Sequence, residues 1–268
     1  MKESNTLIVK SNALIEAFTD MTTLQYKFTL YVISKLNRNS ETFNRVDVPV
    51  KKYSELLGVA SSNIYENMKE FERELGKKIV SLALSNGNRL TIPWFEYLYY
   101  KHNEGILSVS FNQKLCPFLL NLNKAFTMYL IANVKNMKSI YSIRFYEIMK
   151  KEQFKGKIIL RIDNLRDIFQ LKRNEYKLFG DFNRRVLKRS EQEINEKTDI
   201  FISGRKDIKE NRKVVAIEYI IDKTPDYMGT DIKRFELEDK RSGTGKGTAF
   251  EQRTYSDEFY EALYETGT

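Results

Sequence analysis

The chain has 268 residues and carries 45 lysines and arginines against 36 aspartates and glutamates, so its formal net charge is +9. One cysteine excludes a disulfide framework and a cysteine-based metal site, and one histidine excludes the histidine sets of rolling-circle nucleases and tyrosine recombinases. We therefore expect no enzyme, no cofactor and no metal site, and the basic charge balance favours a polyanionic partner.

Hydrophobic periodicity in the first part of the chain predicts a helix, a strand, a short helix, a longer helix and then three strands. In that order, the predicted elements cover residues 22–37, 45–50, 51–57, about 62–75, 79–84, 89–100 and 105–111. Gly58 ends the short helix, and Ser61 or Ser62 caps the longer one.

A second part of the chain shows the same order of elements. They cover residues 140–153, 157–162, 163–170, 176–197, 199–203 and 213–221. Gly156 ends the first helix, and Asp163 caps the short one. The last two strands form a hairpin around a basic loop at residues 204–212.

The two copies are offset by about 112 residues, comparing Val46 with Ile158. A short helix, a brief turn and a longer helix, followed by a β-hairpin, are typical of a winged helix–turn–helix, whose second helix enters the major groove of DNA. We predict an α+β fold of two tandem winged-helix domains, at residues 1–125 and 126–222, followed by a linker and acidic tail at 223–268. Winged-helix domains also mediate protein contacts, so the order of elements alone leaves both partners open.

The excess of positive charge is concentrated in one part of the chain. Residues 1–134 carry a net +4, residues 135–222 carry 22 basic against 14 acidic residues for a net +8, and residues 223–268 carry −3. Because the turn and second helix of the second domain lie in the most basic segment, this domain is the predicted main DNA-binding domain.

The helix predicted at residues 176–197 has two different faces on a helical wheel. One face is largely apolar and consists of Phe179, Phe182, Val186, Ser190 and Ile194, with Leu187 at its edge. We expect it to pack against Ile143, Ile159 and Leu165. The opposite face consists of Lys177, Asp181, Arg184 and Lys188, with Arg185 beside them. Solvated faces usually mix both signs of charge, so this basic excess favours DNA contact over an ordinary solvated surface.

Further basic residues flank this helix. The predicted turn holds Lys172 and Arg173, and the wing holds Arg205, Lys206, Lys209 and Arg212. The corresponding helix of the first domain has a nearly balanced face. A protein interface and a weaker DNA contact through Lys51, Lys52, Lys69 and Arg73 therefore both remain open for that domain.

No stretch of the chain approaches the roughly 18 apolar residues that are needed to cross a membrane. The first residues include an acidic one and lack the apolar segment of a secretory signal. We expect a cytoplasmic protein that has no membrane partner.

The chain resembles the initiator proteins of iteron-containing, theta-replicating plasmids over roughly residues 5–222. The stretch IVKSNALIEAFTDMTTLQYKFTLYVIS (8–34) is similar to the family's Lys-Ser-Asn opening and first helix, and residues 117–151 are similar to the junction between its two domains. The stretch YKLFGDFNRRVLKRSEQEINEKTDIFI (176–202) resembles its second recognition helix, and residues 213–219 resemble its wing strand.

The resemblance implies a sequence-specific protein that binds double-stranded direct repeats, helps to melt an adjacent AT-rich region, and recruits the host initiator and the replicative helicase. Many members also form a homodimer through the first domain and repress their own promoter. Carried onto this chain, Arg184 is expected at a base edge, where a guanidinium can bind guanine O6 and N7. The residues expected at phosphates are Lys177, Arg185, Lys188, Arg205, Lys206 and Arg212. Leu178 stands where members can have a basic residue, so the sequence read can differ.

Two other functions compete with replication initiation. A transcriptional regulator with the same fold would bind DNA without supporting replication. A nicking enzyme is disfavoured, because the chain has a single histidine and lacks the ligand set that a nicking tyrosine needs.

Overall fold

The structure is a computed structural model that describes residues 6–57, 67–83 and 87–224, without the side chains of residues 56 and 57. Gly58, Ser61 and Ser62 of the predicted helix boundaries, and the predicted linker and tail from residue 225 onward, lie outside the described residues. Within the described residues, no helix is both long enough and apolar enough to cross a membrane.

The described part of the chain contains short and medium-length helices, numbered here in chain order. They are α1 (Asn12–Glu16), α2 (Thr23–Ile33), α3 (Val50–Leu57), α4 (Met68–Gly76), α5 (Cys116–Leu119), α6 (Ala132–Lys135), α7 (Ile140–Glu152), α8 (Ile162–Ile168) and α9, which consists of the consecutive segments Phe179–Phe182, Asn183–Leu187 and Lys188–Lys197.

The strands form small antiparallel sheets. They are β1 (Leu7–Ser11), β2 (Phe18–Thr19), β3 (Val46–Pro49), β4 (Ile79–Ala83), β5 (Arg89–Pro93), β6 (Phe95–Lys101), β7 (Ile106–Phe111), β8 (Phe126–Leu130), β9 (Lys157–Arg161), β10 (Ile200–Glu210) and β11 (Lys213–Lys223). The sheet orders are β1-β8, β2-β4-β5, β3-β7-β6 and β10-β11-β9. The predicted elements that fall within the described residues occur in the predicted order, which confirms the α+β class, but the sequence pattern misses β1, α1 and β2 before them and α5, β8 and α6 between the two halves.

The strand predicted at residues 89–100 is two strands in different sheets. The chain changes sheets at Trp94, whose side chain is 1 % exposed. The indole Nε1 of Trp94 donates to Thr19 Oγ1 at 2.8 Å, and its backbone amide donates to the carbonyl of Lys78 at 3.0 Å. The buried Trp94 thus separates β5 from β6, whereas the local sequence pattern predicts one continuous strand.

The basic loop predicted at residues 204–212 is also mostly strand. β10 continues to Glu210 and pairs with β11 from Ile200 to Glu210, with register shifts after Ile202 and after Ile208, and this leaves a turn of only Asn211 and Arg212. Both turn residues have positive φ values, 46° and 68°, as a tight two-residue hairpin turn requires. Local sequence predicts a loop here because the β11 residues that pair with these charged positions lie beyond the turn.

Several predicted helix boundaries are wrong by a few residues. α2 ends at Ile33, and α8 begins at Ile162 without a side-chain cap from Asp163. α9 begins at Phe179 because Tyr176 has a φ of 46°, a left-handed conformation that a helix cannot continue through.

Helix α7 occupies the centre of the molecule, where it contacts α1 and β8 as well as β9 and α9. Its side chains are buried without interruption from Ser142 to Met149. A helix that is buried on all sides must satisfy any charged group that it carries within the protein.

Glu147 and Arg144 are charged residues in this buried stretch of α7, and Glu147 lies at the centre of a buried polar cluster. Its carboxylate accepts hydrogen bonds from Lys10 Nζ at 2.7 Å, from the Tyr26 hydroxyl at 2.6 Å and from the Tyr129 hydroxyl. Arg144 donates to the Tyr26 hydroxyl at 3.1 Å. This Glu147 cluster (Lys10, Tyr26, Tyr129, Arg144 and Glu147) ties β1, α2 and β8 to α7.

The first strand of the described chain also pairs across the predicted domain boundary. β1 is antiparallel to β8, with Leu7 opposite Leu130 and Ser11 opposite Phe126. Phe126 is the first residue of the predicted second domain. The division between residues 125 and 126 stays a prediction.

Candidate nucleic-acid interface

Helix α9 buries most of the apolar face that the sequence predicts for it, and Phe179, the first residue of that face, is only partly buried against the same core. The fully buried side chains are Phe182, Val186, Leu187, Ser190 and Ile194. Ile143 and Leu165 lie in the same core, but Ile159 is 54 % exposed because Ile158 and Leu160 occupy the inward positions of β9. The prediction that Ile159 packs against α9 is therefore wrong, because successive residues of a strand point to opposite faces and Ile159 points outward.

The middle segment of α9 is a π turn. The amide of Lys188 donates to the carbonyl of Asn183, five residues earlier, instead of four as in an α-helix. Arg184 and Arg185 both lie in this turn. Single π turns within α-helices occur frequently at functional sites.

The solvent-facing side of α9 and the residue before it is basic. Lys177, Arg184, Arg185 and Lys188 are all exposed. Arg184 Nη2 lies 2.9 Å from Asp181 Oδ1, in a pair that is open to solvent on both sides. Within the described part of the chain, the other three form no ion pair. This face has positive charge that the protein itself does not neutralise.

The turn between α8 and α9 presents two more basic residues, Lys172 and Arg173, to solvent. Arg166 of α8 fixes this turn by donating to the carbonyl of Glu175 at 2.6 Å and to that of Tyr176 at 3.0 Å. Leu178, the N-terminal cap residue of α9, is 69 % exposed.

Three of the four basic residues predicted in the wing are exposed on the hairpin: Lys206, Lys209 and Arg212. β9 pairs with β11 only between Ala216 and Ile220, so the end of the hairpin extends beyond the third strand. A two-stranded extension beside a helix–turn–helix has the geometry of a wing that can follow DNA.

Arg205, the fourth of them, is held by other side chains. Its Nη1 donates to Asn183 Oδ1 at 2.7 Å and to Glu191 Oε1 at 2.9 Å, and its Nη2 donates to Asp207 Oδ1 at 3.0 Å. The guanidinium also lies over the Tyr219 ring, 5.8 Å from its centre. The Arg205 side chain is only 18 % exposed.

The candidate residues of the first half, Lys51, Lys52, Lys69 and Arg73, are also exposed. Their setting differs, because α4 carries its own counter-charges. Arg73 Nε lies 3.4 Å from Glu74 Oε1, and Lys77 Nζ lies 2.7 Å from the same oxygen. Helix α4 therefore carries both signs of charge, as the sequence predicts.

Two polar residues after Ile194, Asn195 and Asp199, have structural roles that the sequence pattern does not predict. The Asn195 side chain accepts from the amide of Ile202 at 2.7 Å and donates to its carbonyl at 3.2 Å, which ties α9 to β10. Asp199 accepts from the Tyr146 hydroxyl at 2.8 Å and from Lys150 Nζ at 2.6 Å. These residues belong to the stretch that resembles the plasmid initiators, and they position α9 against α7 and the hairpin.

Among the described residues, no group of three or more histidine, cysteine, aspartate or glutamate side chains is arranged to hold a metal ion. The repeated order of helices and strands, with a basic helix face and a projecting hairpin in the second half, defines a tandem winged-helix protein.

Family comparisons agree with this class. The model described as "Initiator Replication protein, WH1" matches residues 7–150, and the model described as "Initiator Rep protein, WH2" matches residues 161–221. The chain therefore belongs to the initiator replication protein family.

Two relatives from Escherichia coli illustrate this membership. A replication initiation protein is 26 % identical over 203 residues, which cover 72 % of this chain and 63 % of the relative. The PI protein is 29 % identical over 203 residues, which cover 62 % of this chain and 66 % of the relative. The chain thus spans just under two thirds of the length of these relatives.

The fold is similar to that in a crystal structure of Pi initiator protein in complex with iteron DNA. The TM-score is 0.65 at 22 % sequence identity, and the match covers 82 % of this chain and 98 % of the Pi chain.

Proposed function

We propose that this protein is a plasmid replication initiator that binds double-stranded direct repeats, the iterons, at a plasmid origin. The observation that carries the proposal is the unneutralised basic surface formed by α9, the turn before it and the hairpin. Family membership supports the same function, and the similarly folded Pi protein is one that binds iteron DNA.

In this proposal, α9 enters the major groove and Arg184 contacts a base edge. Its guanidinium is 71 % exposed, and breaking its pair with Asp181 is cheap because both partners face solvent. The proposed phosphate contacts surround it at the turn, on α9 and on the hairpin: Lys172, Arg173, Lys177, Arg185, Lys188, Lys206, Lys209 and Arg212.

The first half takes a lesser part in DNA contact. Lys51, Lys52, Lys69 and Arg73 are proposed to add weaker phosphate contacts, because α4 already pairs much of its own charge. The same half is the proposed dimer interface of a form that represses the protein's own gene.

The wider activity proposed for the chain follows its family. The protein acts in the bacterial cytoplasm, promotes melting next to the repeats, and recruits the host initiator and the replicative helicase. These roles need no catalytic group of the chain itself.

A plasmid maintenance assay tests the proposal. The gene and its flanking DNA are placed on a selectable circle that lacks any other origin, and the circle is introduced into a suitable bacterial host. We expect stable transformants, and none when the repeats are deleted or the gene carries an early stop codon. Repression of a reporter from the flanking DNA, without any transformants, would instead identify a transcriptional regulator.

A further inference from the structure

Arg205 lies at the junction between the hairpin and α9, and it joins residues from both. On the helix side, its guanidinium bonds Asn183, the first residue of the π turn, and Glu191, two turns later. On the hairpin side, it bonds Asp207 and lies over the ring of Tyr219, its partner across the strands.

Glu191 also accepts a hydrogen bond from the Tyr219 hydroxyl, at 2.8 Å. Burial and the neighbouring Glu191 carboxylate raise the pKa of Tyr219, so its phenol keeps the proton that this bond requires. Arg205, Asn183, Glu191, Asp207 and Tyr219 therefore form one connected set, which we call the Arg205 clamp.

The charges within the clamp argue against a direct phosphate contact by Arg205. Its single positive charge faces the carboxylates of Glu191 and Asp207, at 2.9 and 3.0 Å. A phosphate that approached this guanidinium would also approach two negative charges, and most of the donor directions are already occupied. The neighbouring Lys206 is exposed and forms no ion pair within the described residues.

We propose that Arg205 is a positioning residue, which locks the hairpin to the π turn of α9 and so sets the spacing between the helix and the wing on DNA. This inference rests on the proposed function and deepens it. Arg184 and Arg185 lie directly after Asn183, so a shift of the clamp on the helix side changes where these two guanidinium groups point. The rigid fork of arginine suits this role, because one lysine amine cannot reach all three oxygens in the same geometry.

The test measures the affinity of the full chain for a labelled duplex with one flanking repeat, and for an unrelated duplex, in a salt series. The variants are Arg205→Lys, which keeps the charge, and Glu191→Ala, which removes a negative charge near the DNA. We expect each to weaken repeat binding by about tenfold and to change binding to the unrelated duplex much less.

A phosphate contact makes the opposite predictions. If Arg205 bound a phosphate, Arg205→Lys would bind nearly as well as the wild type, and Glu191→Ala would bind more tightly because repulsion is lost. Either result would overturn the positioning role. Lys206→Ala is the matched control for a phosphate contact, and it should lower the slope of log affinity against log salt by about one. A second control is thermal unfolding, in which Arg205→Lys should unfold at nearly the same temperature as the wild type.

Binding by the wild type shows whether the proposed function or only the Arg205 clamp is wrong. If the wild type does not prefer the repeat over unrelated DNA, the proposed function is wrong. If the wild type prefers the repeat and Arg205→Lys does so equally, only the clamp is wrong.

Discussion

Two charged regions of this molecule differ in whether their charges are buried and paired or exposed and unpaired. In the Glu147 cluster, Lys10 and Glu147 are completely buried, and the carboxylate has a donor on each oxygen. On α9, Arg185 and Lys188 are exposed and form no ion pair within the described residues. The first region uses its charges to hold the fold together, and the second leaves its charges available for a ligand.

This difference distinguishes charges that are paired within the fold from charges that are available to bind a ligand. A net charge of +9 is compatible with any acidic partner. When paired residues such as Lys10, Arg144 and Arg205 are set aside, the second half of the described chain keeps exposed basic residues without an ion pair on α9, on the turn before it and on the hairpin.

Glu147→Gln gives the largest expected effect and tests the structural side of the comparison. The substitution leaves the Lys10 ammonium buried without a counter-charge, so the free energy of unfolding should fall by about 3–5 kcal/mol. Chemical denaturation monitored by circular dichroism measures this loss. The matched control is Glu218→Gln, whose pair with Lys157 is partly exposed at 3.6 Å and should contribute less than about 1 kcal/mol.

The pH dependence of the same variant gives an independent check. Burial opposes the Glu147 charge, but Lys10 and Arg144 together hold the pKa of Glu147 below its ordinary value. Because the folded-state pKa is depressed, the wild type should lose this stability as the pH falls through that pKa, and Glu147→Gln should lack that part of the loss. Equal acid sensitivity in both proteins would contradict the assignment.

Arg184→Ala tests the functional side and has the next largest expected effect. Binding to the specific repeat should weaken by roughly 1–3 kcal/mol, and discrimination should relax at one base pair, because a bidentate base contact is lost. Binding to a set of duplexes with single substitutions in the repeat measures both quantities. An equal loss on every duplex would make Arg184 a phosphate contact.

Lys188→Ala and Arg73→Ala give the smallest expected effects and compare the two halves directly. Loss of one phosphate contact at Lys188 should lower the slope of log affinity against log salt by about one. Arg73 pairs with Glu74 on its own helix, so its removal should change that slope by less than half as much. A larger change for Arg73 than for Lys188 would reverse the comparison.

The sequence predicts much of the fold because apolar periodicity records which face of each helix and strand is buried. It predicts the buried face of α9 and the exposure of Lys177, Arg184 and Lys188 for the same reason. It does not predict the extent of β10, since the residues that make Lys206 and Lys209 part of a strand lie on the other side of the turn.

Long-range partners account for what else the sequence does not show. Local charge predicts a phosphate contact for Arg205, and its partners Asn183 and Glu191 cannot be recognised from the sequence because they are 22 and 14 residues away. The Glu147 cluster cannot be predicted from local sequence because Lys10 is 137 residues from Glu147. The available signal was a glutamate at an inward position of a largely apolar helix, which demands a buried partner.

Footprinting of the DNA that flanks the gene tests the central claim most directly. The wild type is compared with a variant that carries alanine at Arg184, Arg185 and Lys188, and with a matched variant that carries alanine at Lys51, Lys69 and Arg73. We predict that the wild type and the first-half variant protect a series of direct repeats, and that the α9 variant protects none. Protection that survives in the α9 variant and disappears in the first-half variant would contradict the account.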